Sequence, residues 1–293
     1  MPELPDLAVY VDALERRLAG EPIEQILIVQ PFVLRSVDPP ISAAVGSRVS
    51  AISLLGKRLV LTLDSGMVLL IHLMIAGRFQ WDPAKKLPNR RLTLAAFDVP
   101  AGRLLLTEAG TTRRASLHLL ASPAELAPFD RGGVDARVID GAAFRALLQR
   151  ENRTVKRALT DPRLFAGIGN AYSDEILHAA RLSPLTLTRK LTEAQCATLH
   201  DTLRTTLAAW TARLRAEVGE GWPKKVTAFH PSMAVHGRFG LPCPVCGAKV
   251  QRIRYADNET NYCARCQTGG RVLADRALSR LLGEDFPREL AED

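Results

Sequence analysis

Residues 1–10 read MPELPDLAVY. Two prolines flank Glu3, and an apolar pattern of helical period begins directly after them. Leu7, Val11, Leu14 and Leu18 recur at spacings of 4, 3 and 4, and Gly20 suits a C-terminal stop, so residues 7–19 are expected to form a helix. Pro5 at its first position and Asp6 in its first turn are good helix-start residues whatever the function. The same stretch has a second reading, in which the chain terminus is itself a reactive group.

The hundred residues after that helix set the fold class. From about 22 to 120 the chain is a series of short, branched aliphatic runs: ILIV, VSAISL, KRLVLTLD, MVLLIHLMI, RLTLAAFDV and RLLLTE. Asp-Ser-Gly at 64–66 and Pro-Ala-Gly at 100–102 punctuate them as hairpin turns. Six or more such strands after one helix imply a sandwich or barrel. Residues 121–140 are poorly periodic and read as a linker. Beyond them AAFRALLQ and VKRALT are short helical stretches, and Leu199, Leu203, Leu207, Trp210 and Leu214 mark one long amphipathic helix. VLADRALSRLL, near the end, reads as a short C-terminal helix. The expected division is 1–120 (β-sandwich domain), 121–140 (linker), 141–238 (helical domain), 239–268 (four-cysteine finger) and 269–293 (helical extension).

Four of the five cysteines lie between 243 and 266 as CPVC-x16-CARC. Each C-x2-C pair places two thiolates on one ion from a tight turn, and the gap suits a β-hairpin that returns the second pair. Cys243, Cys246, Cys263 and Cys266 therefore form the spacing of a closed, tetrahedral structural zinc site, with one Zn²⁺ as the expected cofactor. Such an ion staples a hairpin too small to fold alone and is not a catalyst. Cys196, inside a helical pattern, reads as a buried inert thiol.

The 293-residue chain carries 39 Lys and Arg against 31 acids, a net charge of +8, and 47% apolar residues. The apolar share supports real cores, and the positive surplus points to a polyanionic partner such as nucleic acid or anionic lipid. No apolar run has the length of a membrane span and the start lacks the regions of a signal peptide, so a cytoplasmic, bacterial-type enzyme with no membrane partner is expected. In DPRLFAGIGNAYSDEIL (161–177), Gly167 and Gly169 permit a tight turn and Asn170 is expected as the N-cap of the next helix, a place suited to phosphate.

Four separated segments, MPELPD, the GK at 56–57, FAGIGNAYSDEIL and the four-cysteine ribbon preceded by VHGRFG, occur together and in order. In this the chain resembles the formamidopyrimidine-DNA glycosylase/endonuclease VIII family of base-excision repair enzymes. The resemblance implies an α+β multidomain fold. It comprises an N-terminal β-sandwich with an N-terminal helix, a helical domain with a helix–two-turns–helix element, and a C-terminal zinc β-hairpin. It further implies a monomer acting on double-stranded DNA with damaged bases or abasic sites, bound in a cleft between the halves. The implied activities are base excision and abasic-site lyase, with Pro2, freed by removal of Met1, as the amine nucleophile. Glu3 is the implied general acid/base, and Lys57 a strand-borne contact to phosphate that assists catalysis. A model α-amino group is about a few hundredfold more neutral at pH 7 than a lysine, which favours a terminus as nucleophile. Asn170 matches a phosphate-binding asparagine.

The chain departs from the family's pattern where lesions are read. Asn258 stands at the place of a finger arginine and brings no charge. Ile75, with Met74 before it, replaces the usual wedge methionine. Arg113 and Arg114 match, but Ala115 stands where an aromatic filler is usual. Asp6 replaces a glutamate. A non-excising protein of the same fold that binds damaged or abasic DNA is the alternative these departures leave open. A zinc-ribbon adaptor explains the cysteines and charge but not MPELPD.

Overall fold

The computed structural model describes residues 1–110, 112–224, 226, 229–255 and 258–273. The chain forms two compact units, Met1–Arg131 with Thr211–Thr227, and Gly132–Trp210 with Ala228–Asp293.

In the first unit, helix α1 (Leu4–Leu18) precedes eight strands. Strands β1 (Gln25–Ile28), β6 (Thr93–Val99), β7 (Gly102–Glu108) and β5 (Gly77–Asp82) form one antiparallel sheet in that order. Strands β2 (Val49–Leu55), β3 (Arg58–Leu63), β4 (Val68–His72) and β8 (Ser116–Leu120) form the other. One core joins Leu7, Tyr10, Leu14 and Leu18 of α1 to Leu59, Leu61, Leu69 and Ile71 of one sheet and Phe79, Leu94, Leu104 and Leu106 of the other. This is the expected sandwich. Strands β5 and β8 were absent from the expected set, because GRFQWD and SLHLL interrupt their apolar residues with polar ones. Pro123–Phe129, inside the stretch read as a linker, forms a 3-10 turn. Its Leu126 and Phe129 pack against Val60, Val68, Leu70 and Leu120.

The helix begins three residues earlier than the apolar periodicity alone indicates. Glu3 is its N-cap, so Pro5 lies at the second helical position rather than the first. Glu3 and Asp6 form a reciprocal capping box, in which the Asp6 carboxylate accepts the Glu3 N–H at 2.8 Å. Both carboxylates are buried, at 3% exposure each. Burial, the dominant cause, raises the Asp6 pKa to about 7; the bond from the Glu3 N–H opposes this and the charge of Glu3 adds to it. Farther along the helix, the Tyr10 hydroxyl accepts the Phe79 N–H at 3.2 Å. Trp222 donates to the Phe79 carbonyl at 3.2 Å, and Arg215 pairs with Asp12 at 2.7 Å.

In the second unit, α2 (Gly141–Gln149), α3 (Val155–Thr160), α4 (Asn170–Ala179) and the N-terminal part of α5 (Glu193–Val218) surround a core containing Phe144, Phe165, Leu199 and Leu203. Cys196 is buried there as expected. A two-stranded antiparallel ribbon, β9 (Gln251–Arg254) with β10 (Glu259–Tyr262), is followed by the short helix α6 (Ala264–Thr268). The helix expected over VLADRALSRLL lies, beyond residue 273, outside the described residues.

Helix α4 is buried from Ala171 to His178, so its polar side chains require internal partners. The Glu175 carboxylate accepts three successive backbone N–H groups, from Ala234 at 2.7 Å and from Val235 and His236 at 2.9 Å each. Burial pushes the Glu175 pKa up and those N–H groups oppose the shift. Asp174 binds Lys156, His236 Nδ1 at 2.8 Å and the Asn261 N–H at 3.2 Å. These contacts explain VHGRFG. Its first residues supply the N–H cradle, and Gly237 takes a left-handed backbone, with φ 70°, that strains any side-chain-bearing residue.

Two outcomes are expected. Replacing Glu175 with Gln turns an amide NH2 toward those N–H donors and should lower unfolding free energy by about 2–4 kcal/mol in urea titrations. For Asp6, the folded carboxyl keeps its proton to about pH 7, whereas the unfolded one loses it near pH 4. The stabilisation is therefore complete below about pH 4 and is lost as pH rises toward 7. Asp6→Asn removes that slope. Its stability relative to the parent should rise by on the order of 3 kcal/mol between pH 4 and 8. A difference independent of pH would contradict the buried, protonated state.

Candidate active site and zinc ribbon

The first cluster of functional side chains lies at the start of α1. Pro2 and Glu3 are buried and Met1 is exposed. Burial lowers the pKa of the terminal amine, and the charges of Arg78 and Lys57 lower it further, while Glu3 and Asp6 oppose. The amine here is that of Met1, one residue outside the Pro2 nitrogen. Lys57 is half-buried. Its pKa is lowered by burial, and the carboxylates of Glu3 and Asp6 act in the opposite direction. A terminal amine, a buried carboxylate and a desolvated lysine therefore share one electrostatic environment.

Lys57 is not strand-borne. It follows Gly56 in the two-residue turn between β2 and β3, whose ends pair as Leu55 and Arg58. Gly56 takes the left-handed backbone, with φ 60°, that such a tight connection requires. Arg58 then pairs with His72 across β3 and β4.

Residues 73–77 form the turn after β4. Gly77 donates its N–H to the Leu73 carbonyl at 2.9 Å, and a Cβ at Gly77 would lie 2.2 Å from that oxygen. Met74 has φ 53°, unusual for a side-chain-bearing residue. Its N–H donates to His72 Nδ1 at 2.9 Å. Burial, then the charges of Arg58 and Lys57, lowers the His72 pKa to about 4, so the ring stays neutral and keeps that acceptor at pH 7. Arg78 donates to the carbonyls of Ile75 at 3.0 Å and Gly77 at 2.7 Å. The turn holds Ile75 at 63% exposure, with Met74 half-buried beside it.

The loop before β8 is tied down by a buried acid. Glu108 accepts the N–H groups of Arg114, at 3.0 Å, and Ala115, also at 3.0 Å. Ala115 is fully buried in the sandwich core, Arg114 is exposed, and Arg113 donates to the Arg91 carbonyl at 2.5 Å.

The second cluster belongs to the other unit. Gly169, not Asn170, is the N-cap of α4. Asn170 is the first helical residue, and its side chain reaches across to the ribbon, donating Nδ2–H to the Glu259 carbonyl at 2.7 Å. That contact replaces the local capping bond expected from sequence. An amide nitrogen carries two N–H groups, so this bond occupies one of two donors. Asn258 is exposed at the ribbon's tip, where its carbonyl accepts the Tyr255 N–H at 2.8 Å. Arg254 is exposed on the neighbouring strand. Arg265 donates to the Cys246 carbonyl at 3.3 Å, and Arg252 stacks over the Phe239 ring at 4.1 Å.

The four cysteines converge without forming disulfides. Sulfur separations are 3.9 Å for Cys243–Cys266 and 3.4 Å for Cys246–Cys263. Four thiolates about 2.3 Å from one tetrahedral zinc lie about 3.8 Å apart, so the donor set fits the ion. The ribbon matches a zinc finger and suits one structural zinc ion, for which Cys243, Cys246, Cys263 and Cys266 offer four sulfurs. The ligand atoms of Cys243, Cys263, Cys266 and His178 all lie within 4.8 Å of one another. His178 also approaches, with Nε2 3.3 Å from Cys243 Sγ.

Sequence reasoning passed over His72, Arg78, Glu108, Lys156, Asp174, Glu175 and His178. For α4 a signal was present. Asn170, Asp174 and His178 stand at i, i+4 and i+8, a polar stripe on a helix otherwise too apolar to be solvated.

Three family models match successive parts of the chain. These are the formamidopyrimidine-DNA glycosylase N-terminal domain over residues 1–112, its H2TH domain over 135–214, and the zinc finger found in FPG and IleRS over 240–269. A formamidopyrimidine-DNA glycosylase-like protein of Mycobacterium tuberculosis, of uncharacterised activity, is 43% identical over 150 residues, covering 51% of this chain and 93% of its own. The formamidopyrimidine-DNA glycosylase of Thermus thermophilus is 33% identical over 290 residues, covering 92% of this chain and all of its own. The crystal structure of the Thermus thermophilus MutM (Fpg) protein superposes with a TM-score of 0.75 at 29% identity, over 91% of this chain and 98% of that one. Lactococcus lactis Fpg, in a complex with abasic-site DNA, shares the fold with a TM-score of 0.80 at 24% identity, over 91% and 99% of the two chains. With the sandwich, the helical unit and the zinc ribbon all in place, and full-length relatives above 30% identity, the chain belongs to the formamidopyrimidine-DNA glycosylase family.

Proposed function

We propose that this chain excises damaged bases from double-stranded DNA and cuts the strand at the resulting abasic site, with the Pro2 amine as nucleophile. The chain is a DNA glycosylase of its family, and the proposal adds the lyase step and the residues. The observation that carries it is the terminal amine beside the buried Glu3 and the half-buried Lys57, its pKa lowered by burial and by the charges of Arg78 and Lys57 against the opposing charge of Glu3.

The chemistry starts from that cluster. With Met1 removed, Pro2 offers a secondary amine whose neutral fraction at pH 7 rises as its pKa falls. Its nitrogen lone pair bonds to the sugar C1′. The glycosidic bond breaks, and the base leaves with that bond's electron pair and takes up a proton. The attached nitrogen then loses its N–H proton, and the freed pair forms C=N as the C1′–O4′ bond breaks and O4′ is protonated, leaving an iminium ion. In this reading Glu3, at the helix start, passes the proton that opens the sugar ring. The iminium acidifies the C2′ proton, whose removal to a base expels the 3′ phosphate by β-elimination. A secondary amine gives an iminium that carries charge without needing protonation, so the electron sink persists at neutral pH. Further elimination at the 5′ phosphate leaves a gap.

Lys57 and Asn170 supply phosphate contacts in this reading, with Arg113, Arg114 and Asn258 as further DNA-facing groups. Ile75 and Met74 are the apolar side chains that fill the space of an extruded nucleotide. Ile75 is suited to this by its exposure on a turn that His72, Arg78 and Gly77 hold in place. The buried Ala115 and the uncharged Asn258 favour the second reading, a protein that binds damaged or abasic DNA without excising the base.

Borohydride reduction separates the two. Purified, correctly processed protein is incubated with duplex DNA holding one abasic site, and borohydride is added. Iminium chemistry predicts a covalent complex that Pro2→Gly reduces at least about tenfold and that blocking the terminal amine abolishes. Binding without a trapped complex would leave the non-excising reading and remove the lyase.

A further inference from the structure

We propose that His178 is a positioning residue of the zinc site, donating its Nε2–H to the Cys243 thiolate and tying the metal to the helix that carries Asn170. His178 is buried in the last turn of α4, with Nε2 3.3 Å from Cys243 Sγ. A zinc-bound thiolate has no proton and acts only as an acceptor. The short contact therefore requires the imidazole proton on Nε2. Four thiolates already complete a tetrahedral shell, so the ring serves as a donor to sulfur rather than as a fifth ligand.

The charge of the site gives the bond its purpose. Four thiolates around one Zn²⁺ carry a net charge of −2 in a largely buried ribbon, and N–H donors to sulfur disperse it. The Ala248 N–H serves the Cys246 sulfur and the Cys266 N–H serves the Cys263 sulfur. For Cys243 the donor comes from a different element, 65 residues earlier in the chain. Three groups on one face of α4 thus hold the finger. Asn170 bonds the Glu259 carbonyl, Asp174 accepts the Asn261 N–H, and His178 reaches the metal-binding sulfur. The spacing i, i+4, i+8 places them in one row along the helix. Zinc thereby braces the end of α4 opposite Asn170, as well as closing its own hairpin.

The test uses the full-length, zinc-loaded protein. His178→Phe keeps a ring and loses the donor; His178→Gln places an amide N–H near the position of Nε2. Zinc release to excess chelator is followed with a colorimetric indicator. His178→Phe should release zinc about 10–100-fold faster than the parent, and His178→Gln should stay within about threefold of the parent. Cobalt-substituted parent should show four-thiolate d–d absorption, and the sulfur-to-cobalt band of His178→Phe should move to lower energy while the d–d bands stay. If His178→Phe does not fold, His178→Asn, whose amide falls short of the sulfur, takes its place with the same expectation. Parental release rates in the donor-less variant would overturn the proposal. So would cobalt d–d bands of a three-thiolate, one-nitrogen site in the parent, which would make His178 a ligand.

Discussion

The reciprocal hydrogen bonding of Glu3 and Asp6 at the first turn of α1 is the constraint on which the proposed chemistry rests. A free chain end ordinarily samples many directions. Here the Asp6 carboxylate accepts the Glu3 N–H, Pro5 fixes the backbone between them, and Leu7, Tyr10, Leu14 and Leu18 anchor the helix in the sandwich core. The helix start is thereby fixed, with Arg78 of β5 and Lys57 of the β2–β3 turn near enough to act on the terminal amine. Burial of Asp6 keeps that carboxyl protonated over part of the physiological range, which leaves Glu3 as the principal negative charge beside the amine. Asp6 is one methylene shorter than the glutamate usual at this position of the family, and it still reaches the N–H it caps.

The other unit solves a different problem with the same means. Helix α4 is buried along most of its length although it carries Ser173, Asp174, Glu175 and His178. Unpaired, each would oppose folding by several kcal/mol. Paired, they specify where the zinc ribbon attaches: Glu175 to the N–H groups of 234–236, Asp174 to Asn261 and His236, and His178 to Cys243. Loss of metal therefore has a direct route to the helix bearing Asn170, through side chains rather than through the loop.

Much of this was legible in the residues. The thiolate set is readable from C-x2-C spacing, which needs no distant information. The sandwich is readable from the run of short aliphatic strands, and α2 and α3 match their periodic segments. The features that escaped depend on partners far away in sequence. Asn170 looked like an N-cap because its local context favours one, and the ribbon carbonyl of Glu259 claims its side chain instead. Lys57 looked strand-borne because KRLVLTLD is uniformly β-like, while the pairing of Leu55 with Arg58 puts the residue in a turn. His72 gave no periodic signal at all. Its role at the turn becomes visible only when Met74 is seen with a left-handed backbone and its N–H on the ring. Ala115, absent as a wedge, is occupied as core beneath the Glu108-bound loop.

The central claim is that folding lowers the basicity of the chain-terminal amine. It is tested most directly by nitrogen NMR of mature protein labelled with 15N-proline, following the terminal Pro2 resonance against pH in buffer and in concentrated urea. Pro2 is buried, and burial with Arg78 and Lys57 already lowers the pKa of the Met1 amine one residue outside it, so a lower amine pKa is expected in the folded mature protein than in the unfolded chain. A folded value equal to or above the unfolded one would mean that Glu3 and Asp6 dominate the environment, and would contradict an amine poised as a nucleophile at neutral pH.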